Sequence, residues 1–197
     1  MKKLFIVTLV SICLSSCYKQ ASPPPVARVN AGAGYSRITT GDSWKGTVGV
    51  SGGASANFPF SAMSSLEVGM GVSMQGAKYE DTYESGKVNL TYVNLPILYN
   101  YETPAGIYGE IGVQPAVLVK ANDRYNGANH NYKSKLNSFD LAIPIGGGYR
   151  MKNGFGVGLR VMPGITKIYK SGGDKDRNLV GLVMLSYRFW QGKKHKN

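Results

Sequence analysis

Cysteine, histidine and long apolar runs are scarce in this chain of 197 residues. Both cysteines, Cys13 and Cys17, lie in the first 17 residues, which excludes disulfides and cysteine catalysis from the rest of the chain. The two histidines, His130 and His195, show no metal-ligand spacing. The longest apolar run, 4–14, is too short to cross a bilayer as a helix. These absences argue against a disulfide-stapled protein, a thiol enzyme and a helical membrane protein.

Acidic residues are also few. The chain has 11 of them against 23 lysines and arginines, which gives a net charge of +12. A nucleic-acid partner would explain this charge, but the basic residues are scattered through loops and a tail at 193–196. The sequence contains no basic helix and no aromatic RNA-binding motif. Anionic lipid headgroups are therefore the simpler explanation of a basic surface.

The first 17 residues have the pattern of an export signal. Two lysines precede the apolar run, and two serines precede Cys17. Residues 14–17 resemble a bacterial lipobox, in which the cysteine is lipidated and becomes the first residue of the mature chain. Ordinary signal-peptidase cleavage near the same position is the alternative, and both remain open. We predict an exported protein with a signal peptide at 1–17 and a proline-rich linker at 18–27.

Glycine and tyrosine are abundant, at 26 and 13 residues, and apolar residues alternate with other types. The alternation is clearest at 144–163, where two runs flank the turn sequence Lys152-Asn153-Gly154. Period-two alternation indicates β-strands, and an Asn-Gly turn between two such runs indicates a β-hairpin. Eight alternating segments follow one another: 28–38, 45–58, 65–77, 87–102, 106–120, 141–150, 155–166 and 178–190.

The connections between these segments differ in length. Those after segments two, four and six are tight, whereas those after three, five and seven are longer and polar. This asymmetry is typical of transmembrane β-barrels, whose short turns are periplasmic. A change of phase in the fourth segment, near Tyr92-Val93, predicts a β-bulge.

The chain also contains an internal sequence repeat. A shift of 48 residues aligns two pairs of prolines and the residues around them. Because proline cannot donate to a strand ladder, we expect two related hairpins whose pairing is interrupted at these sites. The aligned pairs are Pro96 with Pro144 and Pro115 with Pro163.

Alternation alone does not separate a membrane barrel from a soluble lipocalin-like barrel, because each has one apolar face. The segments are about 11 to 15 residues long, and membrane strands need about 9 to 11. Glycine is frequent on the polar parity, as a narrow eight-stranded interior requires. We therefore predict an all-β fold, an eight-stranded antiparallel up-and-down transmembrane β-barrel at 28–190. Aromatic residues gather at strand ends like an interfacial girdle: Tyr35, Phe58, Tyr99, Tyr101, Phe155, Tyr187 and Phe189.

Several ionisable residues fall on the inward parity, in the half of the barrel nearest the short turns. Since an unpaired buried charge is costly, we expect these acids and bases to form ion pairs. The hypothesis is a lumen plugged by charged pairs rather than an open pore. The candidate residues are Glu67, Glu102, Glu110, Arg150, Arg160 and Arg188.

Four segments resemble a known family, the small outer-membrane β-barrel ("porin family") proteins of Bacteroidota. They are YVNLPILYNY, GIYGEIGVQPAVLV, GGGYRMKNGFGVGLRVMPGITKIY and LSYRF, and the resemblance extends over 29–190. It implies an eight-stranded barrel inserted by the outer-membrane assembly machinery, with no common substrate. The sequence departs from the family in its basic tail at 191–197.

These patterns predict an integral outer-membrane protein of a Gram-negative cell with a structural, adhesive or limited small-solute permeation role. Its long loops would be extracellular and both termini periplasmic. Outer-membrane lipids and lipopolysaccharide would be its partners, and nucleic acid would not. We expect no enzymatic activity, catalytic residue, metal or cofactor. The alternatives are a soluble lipocalin-like lipoprotein carrying an apolar ligand and a lipid-modifying barrel enzyme, for which His130 would be the residue to test.

Overall fold

The computed structural model describes residues 23–39, 44–80, 85–125, 128–131, 133, 136–168 and 177–192. These residues form eleven β-strands in one sheet. Within them, no helix has the length and apolar character needed to cross a bilayer. The strands are β1 Val26–Ile38, β2 Trp44–Pro59, β3 Ser64–Glu80, β4 Ser85–Asn94, β5 Ile97–Glu102, β6 Ile107–Tyr125, β7 Ala128–Asn131, β8 Phe139–Ala142, β9 Ile145–Arg150, β10 Phe155–Pro163 and β11 Asn178–Gln191.

The strands make the eight walls of a closed ring. β4 and β5 continue one another across a two-residue gap, as do β8 and β9, and β7 pairs only with β6. Each wall is antiparallel to the next, and β1 closes the ring by pairing with β11 from Val26↔Gln191 to Ile38↔Asn178. The prediction of an eight-stranded antiparallel barrel is confirmed.

Four prolines mark interruptions of strand pairing. Pro96 lies between β4 and β5, Pro144 lies between β8 and β9, and Pro163 ends β10. Pro115 lies in β6, at the point where β6 changes partner from β5 to β4. A proline carbonyl still accepts hydrogen bonds, and the N–H of Gly69 donates to that of Pro96 at 2.9 Å. The interruptions predicted at these four prolines are confirmed.

The two related hairpins share one turn geometry. Gly106 and Gly154, which are 48 residues apart, both have positive φ, at 93° and 99°. In each turn the glycine N–H donates to the carbonyl three residues earlier, that of Thr103 or Met151. Positive φ is strained for residues that carry a Cβ, so both turns require glycine. The internal sequence repeat therefore corresponds to two hairpins of the same geometry.

The tight turns and the described chain ends lie at the same end of the barrel, which we call the short-turn end. The turns are 60–63, 103–106 and 151–154. They surround one cavity together with Pro23 and Gln191 from the two ends of the described chain. The opposite end, which we call the long-loop end, carries the connections that follow β1, β3, β6 and β10.

The apolar parity of the strands faces outward around the ring. In β6, Val113 is 45 % exposed, whereas its neighbour Gln114 is 6 % exposed. An apolar exterior of this extent is unusual for a soluble protein and is what lipid-facing strands require. The lipocalin-like alternative is not favoured, because its apolar face would point inward. The seven predicted girdle aromatics are also exposed, as are Val48, Met70, Ile107, Leu159 and Leu185.

The phase change near Tyr92-Val93 has a different cause from the one predicted. Side chains of β4 keep a constant parity, with Tyr92 buried and Val93 exposed. What changes is the inner face itself, which becomes apolar toward the long-loop end. A bulge does occur at this height, but in β6, where Leu118 and Lys120 pair with consecutive residues of β4 and Val119 is extra. The bulge turns Lys120 outward, against the alternation of the residues that precede it.

Cysteine labelling at two adjacent positions tests the direction of the apolar face. In membrane-embedded protein with Cys13 and Cys17 replaced by serine, Val113→Cys should react with a lipid-soluble maleimide because it faces outward. Gln114→Cys should be protected because it faces the packed lumen. Mass spectrometry measures both adducts. Preferential labelling of Gln114→Cys would contradict the assignment of faces.

Close backbone packing predicts a stability effect at one inward glycine. A Cβ at Gly148 would collide with the backbone of Val157 and Gly158, whereas a Cβ at Gly181 would have no atom within 4 Å. We expect Gly148→Ala to lower the free energy of unfolding by about 1–3 kcal/mol through overpacking. The control, Gly181→Ala, should change it by less than about 0.5 kcal/mol. Urea unfolding of the refolded barrel measures both values, and equal losses would refute the packing difference.

Candidate functional site in the barrel lumen

Arg150 is the centre of a charged cluster in the short-turn half of the lumen. It is the last residue of β9, and its side chain is 9 % exposed. Its Nη1 donates to Glu102 Oε2 at 2.7 Å, and its Nη2 lies 3.7 Å from Glu67 Oε2. Nη2 also donates to Asn100 Oδ1 at 2.7 Å, and the guanidinium carbon lies 3.8 Å from the centre of the Tyr108 ring. One guanidinium group thus connects β3, β5, β6 and β9 across the lumen.

A second ion pair connects β6 with β10. Arg160 Nε donates to Glu110 Oε1 at 2.6 Å, and the two side chains are 12 % and 3 % exposed. Such pairs interact strongly where the local dielectric is low, and removing one partner leaves a buried charge uncompensated. We call the five residues of both clusters the ion-pair layer: Glu67, Glu102, Glu110, Arg150 and Arg160.

Arg188, the sixth predicted residue of the charged lumen, makes a different contact. Its Nη2 donates to the backbone carbonyl of Lys152 at 3.0 Å, at the rim of the short-turn end. It forms no ion pair with a carboxylate of the described residues. Arg188 therefore lies beside the ion-pair layer but does not belong to it.

Arg28 belongs to the same region but was not predicted. It is 8 % exposed and lies within electrostatic range of Arg150 and Arg188 and of two carboxylates of the ion-pair layer. A signal for it was present in the sequence, because Arg28 shares the inward parity of β1 with Ser36. Arg28 lies at the start of a strand, next to the proline-rich linker, where few neighbouring residues establish the parity.

Small polar side chains line the middle of the lumen. Asn30 Nδ2 donates to Ser55 Oγ at 3.0 Å, and Gln75 Nε2 donates to Ser73 Oγ at 2.9 Å. A cavity of about 50 Å³ lies among such residues. This volume accommodates a few water molecules and no larger solute.

The long-loop half of the lumen contains a cluster of buried apolar side chains, which we call the apolar core, beside a buried hydrogen-bonded pair, Asp140 and Asn178. Leu90 and Leu118 reach it from the strands and are fully buried. Leu136 and Ile168 come from the connections after β6 and β10, so these connections place apolar residues inside the barrel mouth. This part of the lumen was not predicted from the sequence. The apolar core consists of Ile38, Ala77, Val88, Leu90, Tyr92, Ala116, Leu118, Ala121, Leu136 and Ile168.

The remaining candidate residues have no described side chains. Cys17 and His195 lie outside the described residues. The backbone of His130 belongs to β7, where it pairs with Asp123 of β6, but its side chain is outside the described part. Among the described residues, no group of three or more histidine, cysteine, aspartate or glutamate side chains is arranged to hold a metal ion.

Comparison with known proteins gives a family and a fold. Residues 26–170 match the family described as outer membrane protein beta-barrel domain. No curated protein matches the chain in sequence.

Three of the solved structures similar to this chain have low sequence identity to it. Neisserial surface protein A (NspA) has a TM-score of 0.55 at 14 % identity, covering 83 % of this chain and 97 % of its own. Ail, the attachment invasion locus protein of Yersinia pestis, has a TM-score of 0.46 at 13 % identity, covering 85 % and 99 %. OprG from Pseudomonas aeruginosa has a TM-score of 0.43 at 14 % identity, covering 87 % and 99 %. The likeness to NspA shows the fold alone.

Since the family match spans well over half of the sequence, the chain belongs to the outer membrane protein β-barrel domain family.

Proposed function

We propose that the protein is a sealed outer-membrane barrel with a structural or adhesive role and no open pore. Two closures in series along the lumen support this role. The ion-pair layer occupies the short-turn half, and the apolar core occupies the long-loop half. A solute would have to disrupt both closures in order to cross the membrane through the barrel.

The two closures resist permeation for different physical reasons. Ions avoid the apolar core because its aliphatic side chains offer them no hydrogen bonds, and the hydroxyl of Tyr92 already accepts one from Asn178 Nδ2 at 3.4 Å. The ion-pair layer is polar, but its guanidinium and carboxylate groups are bound to each other across the lumen. The cavity of about 50 Å³ between the closures accommodates isolated water molecules only.

The proposed orientation places the long loops outside the cell and both termini in the periplasm. Periplasmic turns are short in outer-membrane barrels, and here the tight turns lie at the same end as the described chain ends. Outer-membrane lipids would contact the apolar exterior, and lipopolysaccharide would surround the long-loop end. Insertion would require the outer-membrane assembly machinery. With a sealed lumen, contacts to other molecules would be made by the loops.

The other candidate functions have weaker support. A carrier of apolar ligands needs an apolar internal pocket on the order of 300–1,000 Å³. The cavity in the middle of the lumen measures about 50 Å³, and the cavity of about 480 Å³ at the short-turn end is lined by charged side chains, among them Arg28, Arg150 and Arg188. A lipid-modifying enzyme needs a nucleophile and a base within hydrogen-bond distance of each other. The glutamates of the ion-pair layer are instead engaged by arginines. We therefore propose that the lumen has no catalytic role.

Planar-bilayer recordings test the seal. Purified wild-type protein should give no stepwise conductance. Arg150→Ala should also stay silent, because the apolar core still closes the lumen. Combining Arg150→Ala with Leu90→Ala and Leu118→Ala removes material from both closures, and this variant should show discrete conductance steps.

The control combines Arg150→Ala with the outward substitutions Val93→Ala and Val117→Ala on the same two strands. It removes apolar volume without enlarging the lumen and should remain silent. A heat-dependent change in gel mobility verifies that each variant is folded. Conductance of the wild type would overturn the sealed-barrel function, and conductance of Arg150→Ala alone would show that the apolar core is not a closure.

A further inference from the structure

An open cavity of about 480 Å³ occupies the short-turn end of the barrel, beside the ion-pair layer. Its wall is built from the three tight turns, the start of β1 and the end of β11. We call this cavity the vestibule. Its ionisable lining is unbalanced, with one carboxylate, Glu102, against the basic side chains of Arg28, Arg150, Lys152 and Arg188.

The carboxylates near these arginines are already bound. Glu102 and Glu67 both engage Arg150, at 2.7 Å and 3.7 Å. Arg28 and Arg188 have no carboxylate partner among the described residues, and Arg188 donates only to a backbone carbonyl. Two guanidinium groups at the vestibule therefore form no direct ion pair with a carboxylate of the described residues, although Glu67 and Glu102 lie within electrostatic range of Arg28.

Arg28 is the more informative of the two. Its side chain lies in a residue that is more than nine-tenths buried, yet its Nη1 has no hydrogen-bond partner. The Nε of Arg150, which lines the same vestibule, also lacks a partner. A buried guanidinium group without a counter-charge is costly, so a ligand that supplies the charge would be bound favourably.

We propose that the vestibule binds a phosphate-type oxyanion between Arg28 and Arg188, with Lys152 at its rim. The planar guanidinium group donates two parallel hydrogen bonds to phosphate oxygens, which a monatomic anion such as chloride cannot accept in the same way. The phosphate belongs either to a free solute or to a lipid headgroup, since both present the same oxygens. The vestibule is open at the short-turn end, so access to it does not depend on the seal of the lumen.

Binding of inorganic phosphate to the full-length protein, folded in uncharged detergent, tests this site. Isothermal titration at constant ionic strength should show saturable binding to the wild type, with chloride as the competing anion. Arg28→Gln and Arg188→Gln should each weaken phosphate binding at least tenfold. Arg28→Lys, which keeps the charge but loses the planar fork, should fall between Arg28→Gln and the wild type. The matched control is Lys120→Gln, an exposed lysine of β6 outside the vestibule, which should leave binding unchanged.

Thermal unfolding provides a second readout that does not rely on heat of binding. Phosphate should raise the unfolding temperature of the wild type, because it binds only the folded state. Arg28→Gln should unfold at a higher temperature than the wild type when phosphate is absent, since the substitution removes a buried charge that has no direct ion pair and lies near Arg150 and Arg188. The same variant should no longer respond to phosphate.

Short-chain phosphatidic acid, compared with short-chain phosphatidylcholine, distinguishes the two sources of phosphate. Competition by phosphatidic acid for the phosphate site would identify a lipid headgroup, and its absence would identify a free solute. The site would be disproved if phosphate bound Arg28→Gln as tightly as the wild type, or if millimolar phosphate did not bind the wild type at all.

Discussion

Charged side chains that point into a narrow barrel must find partners within the lumen, and much of this structure depends on that constraint. Eight strands enclose an interior just wide enough for side chains. The inward glycines supply the space that the charged groups occupy. A Cβ at Gly146 would lie 2.8 Å from Glu110 Oε1, and a Cβ at Gly156 would lie 3.3 Å from Arg150 Cγ. The ion pairs therefore fit in the lumen because glycine occupies the neighbouring inward positions.

The lumen changes in chemistry along its length while the exterior stays apolar. Ion pairs occupy part of the short-turn half, and the apolar core lies in the long-loop half. Between them, small polar side chains share the lumen with a second buried apolar cluster on β10 and β11 that includes Leu182 and Met184. Outward side chains of every wall contact lipid, so they are apolar all around the barrel. Inward side chains only have to fill the lumen, and their chemistry differs from one height of the barrel to another. The two closures that we propose for the lumen therefore differ in chemistry, although the outer face is uniform.

Strand positions and side-chain directions could be predicted because period-two alternation reports the face of each residue locally. Val113 and Gln114 illustrate this, since their opposite exposures follow from parity alone. Broken pairing at Pro96 and Pro144 was predictable because proline lacks a donor. Five of the six predicted lumen charges lie together for the same reason, although parity does not say which acid binds which base. The pairing of Glu110 with Arg160 depends on the register of β6, β9 and β10.

Alternation fails where both faces of a strand are apolar or where no strand exists. Tyr92 is inward and Val93 is outward, so in the sequence the apolar inner face of β4 mimics a change in backbone phase. Leu136 and Ile168 lie in connections without periodicity, and only the folded barrel brings them into the apolar core. Arg28 and Arg188 lie at strand ends, where partners are determined by the closure of the ring. Leu136 and Ile168 therefore required the three-dimensional structure, as did the contacts of Arg28 and Arg188, whose inward direction follows from parity.

A sealed barrel requires that the inward charges lie in a closed, water-poor lumen. A double-mutant cycle on Glu110 and Arg160 tests that claim most directly. Glu110→Gln, Arg160→Gln and the double variant would be compared with the wild type by urea unfolding of the refolded barrel. A pair in a closed lumen should show a coupling free energy of about 2–3 kcal/mol, with each single variant losing about 3–5 kcal/mol. A coupling below about 1 kcal/mol, as for solvent-exposed ion pairs, would contradict the account and indicate a water-filled channel.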